Sequence, residues 1–321
     1  MDEILQKMDA LGVVPVVRVD EVEKAVPLAE ALIRGGLPCM EVTFRTALAE
    51  EAIGRIHAAH PEILLGAGTV LTTDQVDRAA AAGAAFIVSP GLNPKVVEHC
   101  LDKGLAVVPG CATPSDMERA MELGLKTVKF FPAEASGGVA ALKAMSAPYT
   151  ELSFIPTGGI SEKNMASYLA LPSVRAVGGS WMVAPKLVKD GEFDKIAALS
   201  AAAVSAVLDF GIAHVGVNTA DEKEGTALAA FLCQVLRQQP RRAATATFVG
   251  DLLEIMHLPF LGKNGHIGFL TASVRRAMAH FEAMGLHFRE DTIKRDEKGE
   301  PTFVYLLEEP GGFAIHLVQR K

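Results

Sequence analysis

Eight short apolar runs recur along residues 1–208, each followed by a longer amphipathic or alanine-rich stretch, and this alternation restricts the possible folds more than any other feature. The runs are Val13–Val17, Cys39–Thr43, Ile63–Leu65, Phe86–Ser89, Ala106–Val108, Thr127–Phe131, Ser153–Ile155 and Val174–Val177. Continuous hydrophobicity marks strands buried on both faces, which means parallel strands covered by helices. Val22–Ile33, Asp74–Ala82 and Pro114–Leu123 read as covering helices, and Asp20, Thr46, Thr73, Thr113 and Ser161 stand where N-caps belong. The pattern predicts an α/β fold, a (β/α)8 TIM barrel at the small end of its size range. A doubly wound open sheet is the alternative, but no Gly-x-Gly-x-x-Gly turn follows the first run.

A different texture begins at Asp209-Phe210-Gly211. Six of the nine histidines follow it: His214, His257, His266, His280, His287 and His316. Ile212–Val217 reads as a strand, Gly225–Gln238 as a helix and Ala243–Met256 as one or two strands. Then His266–Thr271 reads as a strand, Ser273–Met284 as a helix, and Phe303–Leu307 and Phe313–Val318 as strands. The same order twice, about fifty residues apart, predicts an internal duplication. Residues 209–321 are therefore expected to form a smaller α+β domain of paired βαβββ modules, entered from a final barrel helix near Phe193–Leu208.

A formal charge of -7 argues against general binding to nucleic acid or to anionic membranes, while leaving room for a local basic pocket. The acidic start, Met1-Asp2-Glu3, lacks the positive run of a secretory signal, and the alanine-rich stretch Ala197–Leu208 is too short to span a bilayer. Cys39, Cys100, Cys111 and Cys233 form no CxxC pair, so reduced thiols and a cytoplasmic location are expected.

Barrels place catalytic groups at the C-terminal ends of their strands and on the loops that follow. Those ends carry Arg18, Glu41 with Arg45, Gly66-Ala67-Gly68-Thr69, Ser89-Pro90-Gly91, Pro109-Gly110, Lys129, Thr157-Gly158-Gly159-Ile160 and Gly178-Gly179-Ser180-Trp181. Lys129 interrupts the apolar run Thr127-Val128-Lys129-Phe130-Phe131, and alternation turns it into the lumen if Val128 and Phe130 face the helices. Among apolar neighbours the charged form of a lysine is disfavoured, and its free amine can condense with a ketone to an iminium that acts as an electron sink. Snorkelling to solvent, or pairing with Glu41 for structure alone, is the other reading of this lysine. Glu41 could serve as general base and acid beside such an imine, or as a salt-bridge partner of Lys129 or Arg45. Arg45 offers a planar fork for a carboxylate, to which Thr69 could add a hydroxyl. The two late glycine pairs follow the seventh and eighth strands, where barrels commonly bind phosphate through backbone N–H groups.

These motifs, read in order, closely resemble the 2-keto-3-deoxy-6-phosphogluconate aldolases, which also act as 4-hydroxy-2-oxoglutarate aldolases. The resemblance runs through Pro15-Val16-Val17, Glu41-Val42-Thr43-Phe44-Arg45-Thr46, Gly66-Ala67-Gly68-Thr69-Val70-Leu71, Ser89-Pro90-Gly91, Lys129-Phe130-Phe131-Pro132-Ala133-Glu134, Pro156-Thr157-Gly158-Gly159-Ile160 and Gly178-Gly179-Ser180-Trp181. It covers about residues 1–208. It implies Lys129 as the Schiff-base lysine, Glu41 as the proton shuttle, Arg45 and Thr69 at the carboxylate end, and the late glycine pairs with Ser180 at the phosphate. It also implies a keto-acid phosphate substrate, no cofactor for the reaction, and a homotrimer. A phosphate-binding barrel of another chemistry and a sugar-acid sensor are the competing readings, and neither needs a lumen lysine beside Glu41.

Residues 209–321 more distantly resemble the glyoxalase/vicinal-oxygen-chelate superfamily, through Ile212-Ala213-His214-Val215, Leu253-Glu254-Ile255, Gly265-His266-Ile267-Gly268-Phe269 and Gly311-Gly312-Phe313-Ala314-Ile315-His316-Leu317. That resemblance implies a divalent metal on His214, Glu254, His266 and His316. The last of these is commonly glutamate in the superfamily, so His316 departs from the pattern, although imidazole remains a suitable donor. A degenerate module without metal is the alternative.

Overall fold

In the computed structural model, which describes residues 2–320, the apolar runs become β1 (Val13–Val17), β2 (Cys39–Thr43), β3 (Leu64–Gly68), β4 (Phe86–Val88), β5 (Ala106–Val108), β6 (Gly110–Cys111), β7 (Thr127–Phe130), β8 (Ser153–Phe154) and β9 (Val177–Gly179). All pairings among them are parallel, and nearly every strand residue is buried. Such strands need helices on the outer face, and the intervening segments supply them.

The strands form a curled α/β sheet in two ladders, β5-β4-β3-β2-β1-β9 and β6-β7-β8, rather than one continuous eight-stranded ring. Proline explains the breaks, because it accepts ladder hydrogen bonds but cannot donate them. Pro109 separates β5 from β6, yet its carbonyl accepts from the Lys129 N–H at 2.9 Å. Pro156 follows β8, and its carbonyl accepts from the Gly178 N–H at 2.9 Å. Single bridges close the remaining gap: Phe154 of β8 pairs with Val174, ahead of the last strand, and Thr157, beyond β8, pairs with Gly178 of β9.

Two apolar layers result. Outward-facing residues such as Val42, Val128 and Phe130 pack with the helices. Inward-facing residues, among them Val14, Cys39, Phe86, Val108 and Ile155, fill the lumen. The helix Asp2–Leu11, for which the sequence offered no expectation, plugs this inner layer with Met8, supported by Ile4, Leu5 and Leu11.

Some local expectations need correction. Thr72, not Thr73, caps the helix Thr73–Ala81, accepting from the Gln75 N–H, whereas Thr113 caps its helix within a full capping box. Thr46 bonds instead to the Val19 carbonyl, Glu21 rather than Asp20 precedes the first 3-10 turn, and Asn164 rather than Ser161 precedes the helix at Met165. The last strand lies at Val177–Gly179 rather than Val174–Val177, because pairing with β1 outweighs the low strand propensity of its glycines.

The chain divides into two compact units at Val207/Leu208. The second contains β10 (Gly211–Val217), β11 (Pro240–Arg242), β12 (Ala246–Val249), β13 (Leu253–Met256), β14 (Gly265–Thr271), β15 (Lys294–Arg295), β16 (Pro301–Tyr305) and β17 (Phe313–Gln319), with helices Glu222–Leu236 and Val274–Ala283. Its single sheet, β11-β12-β13-β10-β14-β17-β16-β15, reads as two half-sheets of the same design meeting at an antiparallel β10–β14 seam. Strand β11 was not expected from the sequence. Among the described residues no helix is long and apolar enough to cross a membrane. All four cysteines are free and buried, and burial pushes the Cys100 and Cys111 thiols up to about 12.

Candidate functional site

Alternation along β2 and β7 turns Glu41 and Lys129 into the lumen, since their neighbours Val42, Val128 and Phe130 lie in the outer layer. Both are buried, at 3% and 6% exposure, and Lys129 Nζ lies 3.4 Å from Glu41 Oε1. The Phe131 ring stands beside the same amine, with its centroid 5.2 Å from Nζ. Each charge is costly to bury without the other.

Glycine makes the room. A Cβ at Gly68 would sit 2.0 Å from Glu41 Oε1 and 2.6 Å from its Cγ, and one at Gly66 would enter the Phe86 ring. The Gly66-Ala67-Gly68 motif is therefore a clearance for a lumen carboxylate. Gly68→Ala is expected to displace Glu41, lowering kcat at least tenfold and stability by about 1–3 kcal/mol through overpacking; steady-state rates and thermal melts would show both.

A cleft of about 250 Å3 opens at the same end, lined by Arg18, Thr43, Arg45, Phe131, Thr157, Gly158, Gly159, Gly178, Gly179 and Ser180 among others. Thr157 and Gly178 also line the small space around Lys129 and Glu41, which connects the two regions in the structure. Gly158 and Gly159 run at φ +97° and +80°, in the left-handed region, so the cleft wall there is backbone. This loop is braced: the N–H groups of Ala133 and Glu134 donate to the carbonyls of Thr157 and Gly158, and Asn164 Nδ2 donates to the Gly159 carbonyl. Glu134 is itself tied by the Tyr168 hydroxyl.

Arg45 donates from Nε to Thr69 Oγ1 at 3.4 Å, which joins those two candidates. Thr69 is β-branched yet adopts φ +57°, a strained conformation that costs on the order of 1–3 kcal/mol and is commonly found at functional sites. Arg18 reaches the cleft but pairs with Asp20 at 2.8 Å. Pro90 lies apart from the lining residues and packs its carbonyl against Gly110. A broader depression of about 620 Å3 adjoins the cleft at Arg18 and Pro185, and most of its charges are paired internally, Arg18 with Asp20, Lys24 with Glu21 and Lys186 with Asp190. Thr43 and Phe131 were not singled out from the sequence; alternation with Glu41 and Lys129 was the available signal.

In the second unit, β10, β13, β14 and β17 bring His214, Glu254, His266 and His316 together. Nε2 atoms of His214 and His266 are 3.2 Å apart, and Glu254 Oε2 lies 3.3 Å from the first and 3.2 Å from the second. One nitrogen from each of the three histidines fits within a 4.8 Å group. Glycines clear this space too: a Cβ at Gly216 would enter the His266 ring, and one at Gly268 would lie 2.5 Å from His316 Nε2. His316 is 1% exposed, and both its ring nitrogens lack a partner among the described residues, as does His266 Nδ1. Burial, aided by the charges of His214, His266 and Lys294, drives His316 down to about 3.

The family model for KDPG and KHG aldolase matches residues 4–199. The 2-dehydro-3-deoxy-phosphogluconate aldolase of Treponema pallidum is 52% identical over 200 residues, spanning 62% of this chain and 95% of that protein. The KHG/KDPG aldolase of Escherichia coli K12 is 45% identical over 192 residues, or 60% of this chain and 90% of that one. Among solved structures, the KDPG aldolase of Legionella pneumophila, with pyruvate captured as a covalent carbinolamine intermediate, superposes with a TM-score of 0.61 at 40% identity. That match covers 62% of this chain and 97% of the other.

Proposed function

This chain belongs to the KDPG and KHG aldolase family, and on that premise we propose how its residues divide the work. It is a lyase that cleaves 2-keto-3-deoxy-6-phosphogluconate to pyruvate and glyceraldehyde 3-phosphate, and 4-hydroxy-2-oxoglutarate to pyruvate and glyoxylate. Schiff-base chemistry on a lysine needs no cofactor.

The observation that carries the residue assignment is the buried approach of Lys129 Nζ to Glu41 Oε1 beneath the cleft. In our reading Glu41 takes the ammonium proton, and the free amine adds to the C2 ketone to give a carbinolamine. Glu41 returns that proton to the carbinolamine hydroxyl, which leaves as water to give the iminium and restores the carboxylate. Glu41, through a water, then removes the C4 hydroxyl proton. The C3–C4 bond breaks, its electron pair passing into the iminium as an enamine while C4 leaves as an aldehyde. Protonation at C3 and hydrolysis release pyruvate and regenerate the amine. Arg45 and Thr69 hold the carboxylate; Thr157, Gly158, Gly159, Gly178, Gly179 and Ser180 take the phosphate, with Arg18 at the edge. Pro90 has a supporting place only. Borohydride reduction of the protein with pyruvate, followed by peptide mapping, tests this: the adduct is expected on Lys129, and an adduct on another lysine would overturn the assignment.

We read the two ladders and their bridges as one (β/α)8 TIM barrel, residues 1–208, and we take it to assemble as a homotrimer. Light scattering is then expected to give three times the 34.0 kDa chain mass. Buried free thiols suit a reducing, cytoplasmic setting.

For residues 209–321 we propose a glyoxalase-like domain of the vicinal-oxygen-chelate kind, with a divalent metal on His214, Glu254, His266 and His316. The fit is geometric. Donors on a tetrahedral ion with bonds of about 2.0–2.1 Å stand roughly 3.3 Å apart, close to the spacing of the His214, His266 and Glu254 atoms. The buried, unpartnered nitrogens of His316 are also what a metal would satisfy. A bound ion would supply Lewis acidity there. Metal analysis of purified protein is expected to give one ion per chain, lost in His266→Ala; one ion per chain that survives this change would place the metal elsewhere.

A further inference from the structure

The cavity over the histidine cluster is larger than the cluster requires. It measures about 550 Å3 and lies entirely within the second unit. Its floor is His214, Glu254, His266 and His316, and its walls include Met256, Phe260, Phe303 and Tyr305. The aromatic groups form a connected set: Phe260 to Tyr305 at 6.2 Å, Phe303 to Tyr305 at 5.4 Å, and Phe303 to His316 at 4.8 Å between centroids. Phe260 leaves 57% of its surface in solvent, an exposure that a ligand would relieve. Lys294 stands at the mouth, with Nζ 4.8 Å from the Phe303 centroid. Asp291 is the other charged group lining the space besides Glu254.

Pyruvate and glyoxylate, the acids that the first unit releases, would leave most of this space empty; cavities of about 300–1,000 Å3 hold larger ligands with apolar bodies. The charges fix the other end. With a divalent ion on the histidines, Glu254 and Asp291 offset its charge, and Lys294 leaves one net positive charge for an anionic head. We propose that the second unit binds a carboxylate with an apolar body about the size of a phenylethyl group, its head between the histidine cluster and Lys294 and its body against Phe303, Tyr305, Phe260 and Met256. The head's position rests on the metal reading above; the place of the body rests on the cavity alone.

Cobalt(II)-loaded full-length protein allows the two readings to fail separately. Visible bands of a cobalt site on nitrogen and oxygen donors are expected on loading, and 3-phenylpropanoate is expected to shift them. Calorimetry should show 3-phenylpropanoate binding at least tenfold tighter than propanoate, which lacks the ring, and than 3-phenylpropan-1-ol, which lacks the charge. Lys294→Met, a change at an exposed position, should weaken it about tenfold without altering aldol cleavage. Cobalt bands that appear but do not respond, with no heat of binding, would overturn the ligand proposal and leave the metal standing. Absence of the bands, with ring- and charge-dependent binding still lost in Lys294→Met, would overturn the metal and uphold the ligand. Equal affinity for propanoate, or binding indifferent to Lys294, would overturn the proposal outright.

Discussion

Lys129→Ala is expected to lower aldol cleavage by roughly four orders of magnitude or more, as loss of a covalent nucleophile does, and to abolish the borohydride-trapped pyruvate adduct. The alanine also leaves Glu41 buried without its cation, and breaking a buried pair costs about 3–5 kcal/mol, so inactivity could be confused with unfolding. Lys129→Arg separates the two. It keeps a cation beside Glu41, but a guanidinium does not deprotonate to a free amine. Folding followed by circular dichroism should therefore be native-like for the arginine variant, with cleavage still absent. Substantial turnover in either variant would remove Lys129 from the chemistry.

Glu41→Gln should lower kcat by about 10²–10⁴, the usual contribution of a positioned acid or base. The amide fills the same space beside Gly68 and can still accept from Lys129 Nζ, so the lumen is conserved. What it cannot do is accept and return a proton. Exchange of the pyruvate methyl protons with deuterium, followed by NMR, isolates that loss, because exchange requires only imine formation and proton transfer at C3. The variant should still yield a slowly formed reduced adduct on Lys129 while exchange nearly stops. Exchange at the native rate would mean that another group moves the proton.

The two residues on which these experiments turn were legible because each is a lone charge in an otherwise apolar run, and the period of a strand states which face it takes. Their separation of 3.4 Å was not legible, since Glu41 and Lys129 are 88 residues apart and meet only once the sheet has curled. The glycines were visible as a motif ahead of Thr69, but nothing in their spacing stated that the structure uses Gly66 and Gly68 as missing side chains beside Phe86 and Glu41. The plug formed by Met8 was illegible for a simpler reason: a short amphipathic helix such as Asp2–Leu11 does not state what it covers. In the second unit most of the order of elements could be read from periodicity, although the short strands β11 and β15 could not. The convergence of His214, His266 and His316 depended on cross-strand register, such as Gly268 opposite both His214 and His316, which local pattern does not encode.

The seam between the two half-sheets has a consequence for how the second unit holds together. His214 and Glu254 come from the first half, His266 and His316 from the second, and the halves meet along the β10–β14 ladder. An ion shared by those four residues would act as a clasp across the seam. Whatever free energy it gained on coordination would be withdrawn from any state in which the halves part, about 2.7 kcal/mol at a free-ion concentration one hundred times its dissociation constant. Chelation would then be felt first as a loss of cooperativity between two repeats, and the cavity between them would open before either repeat melted.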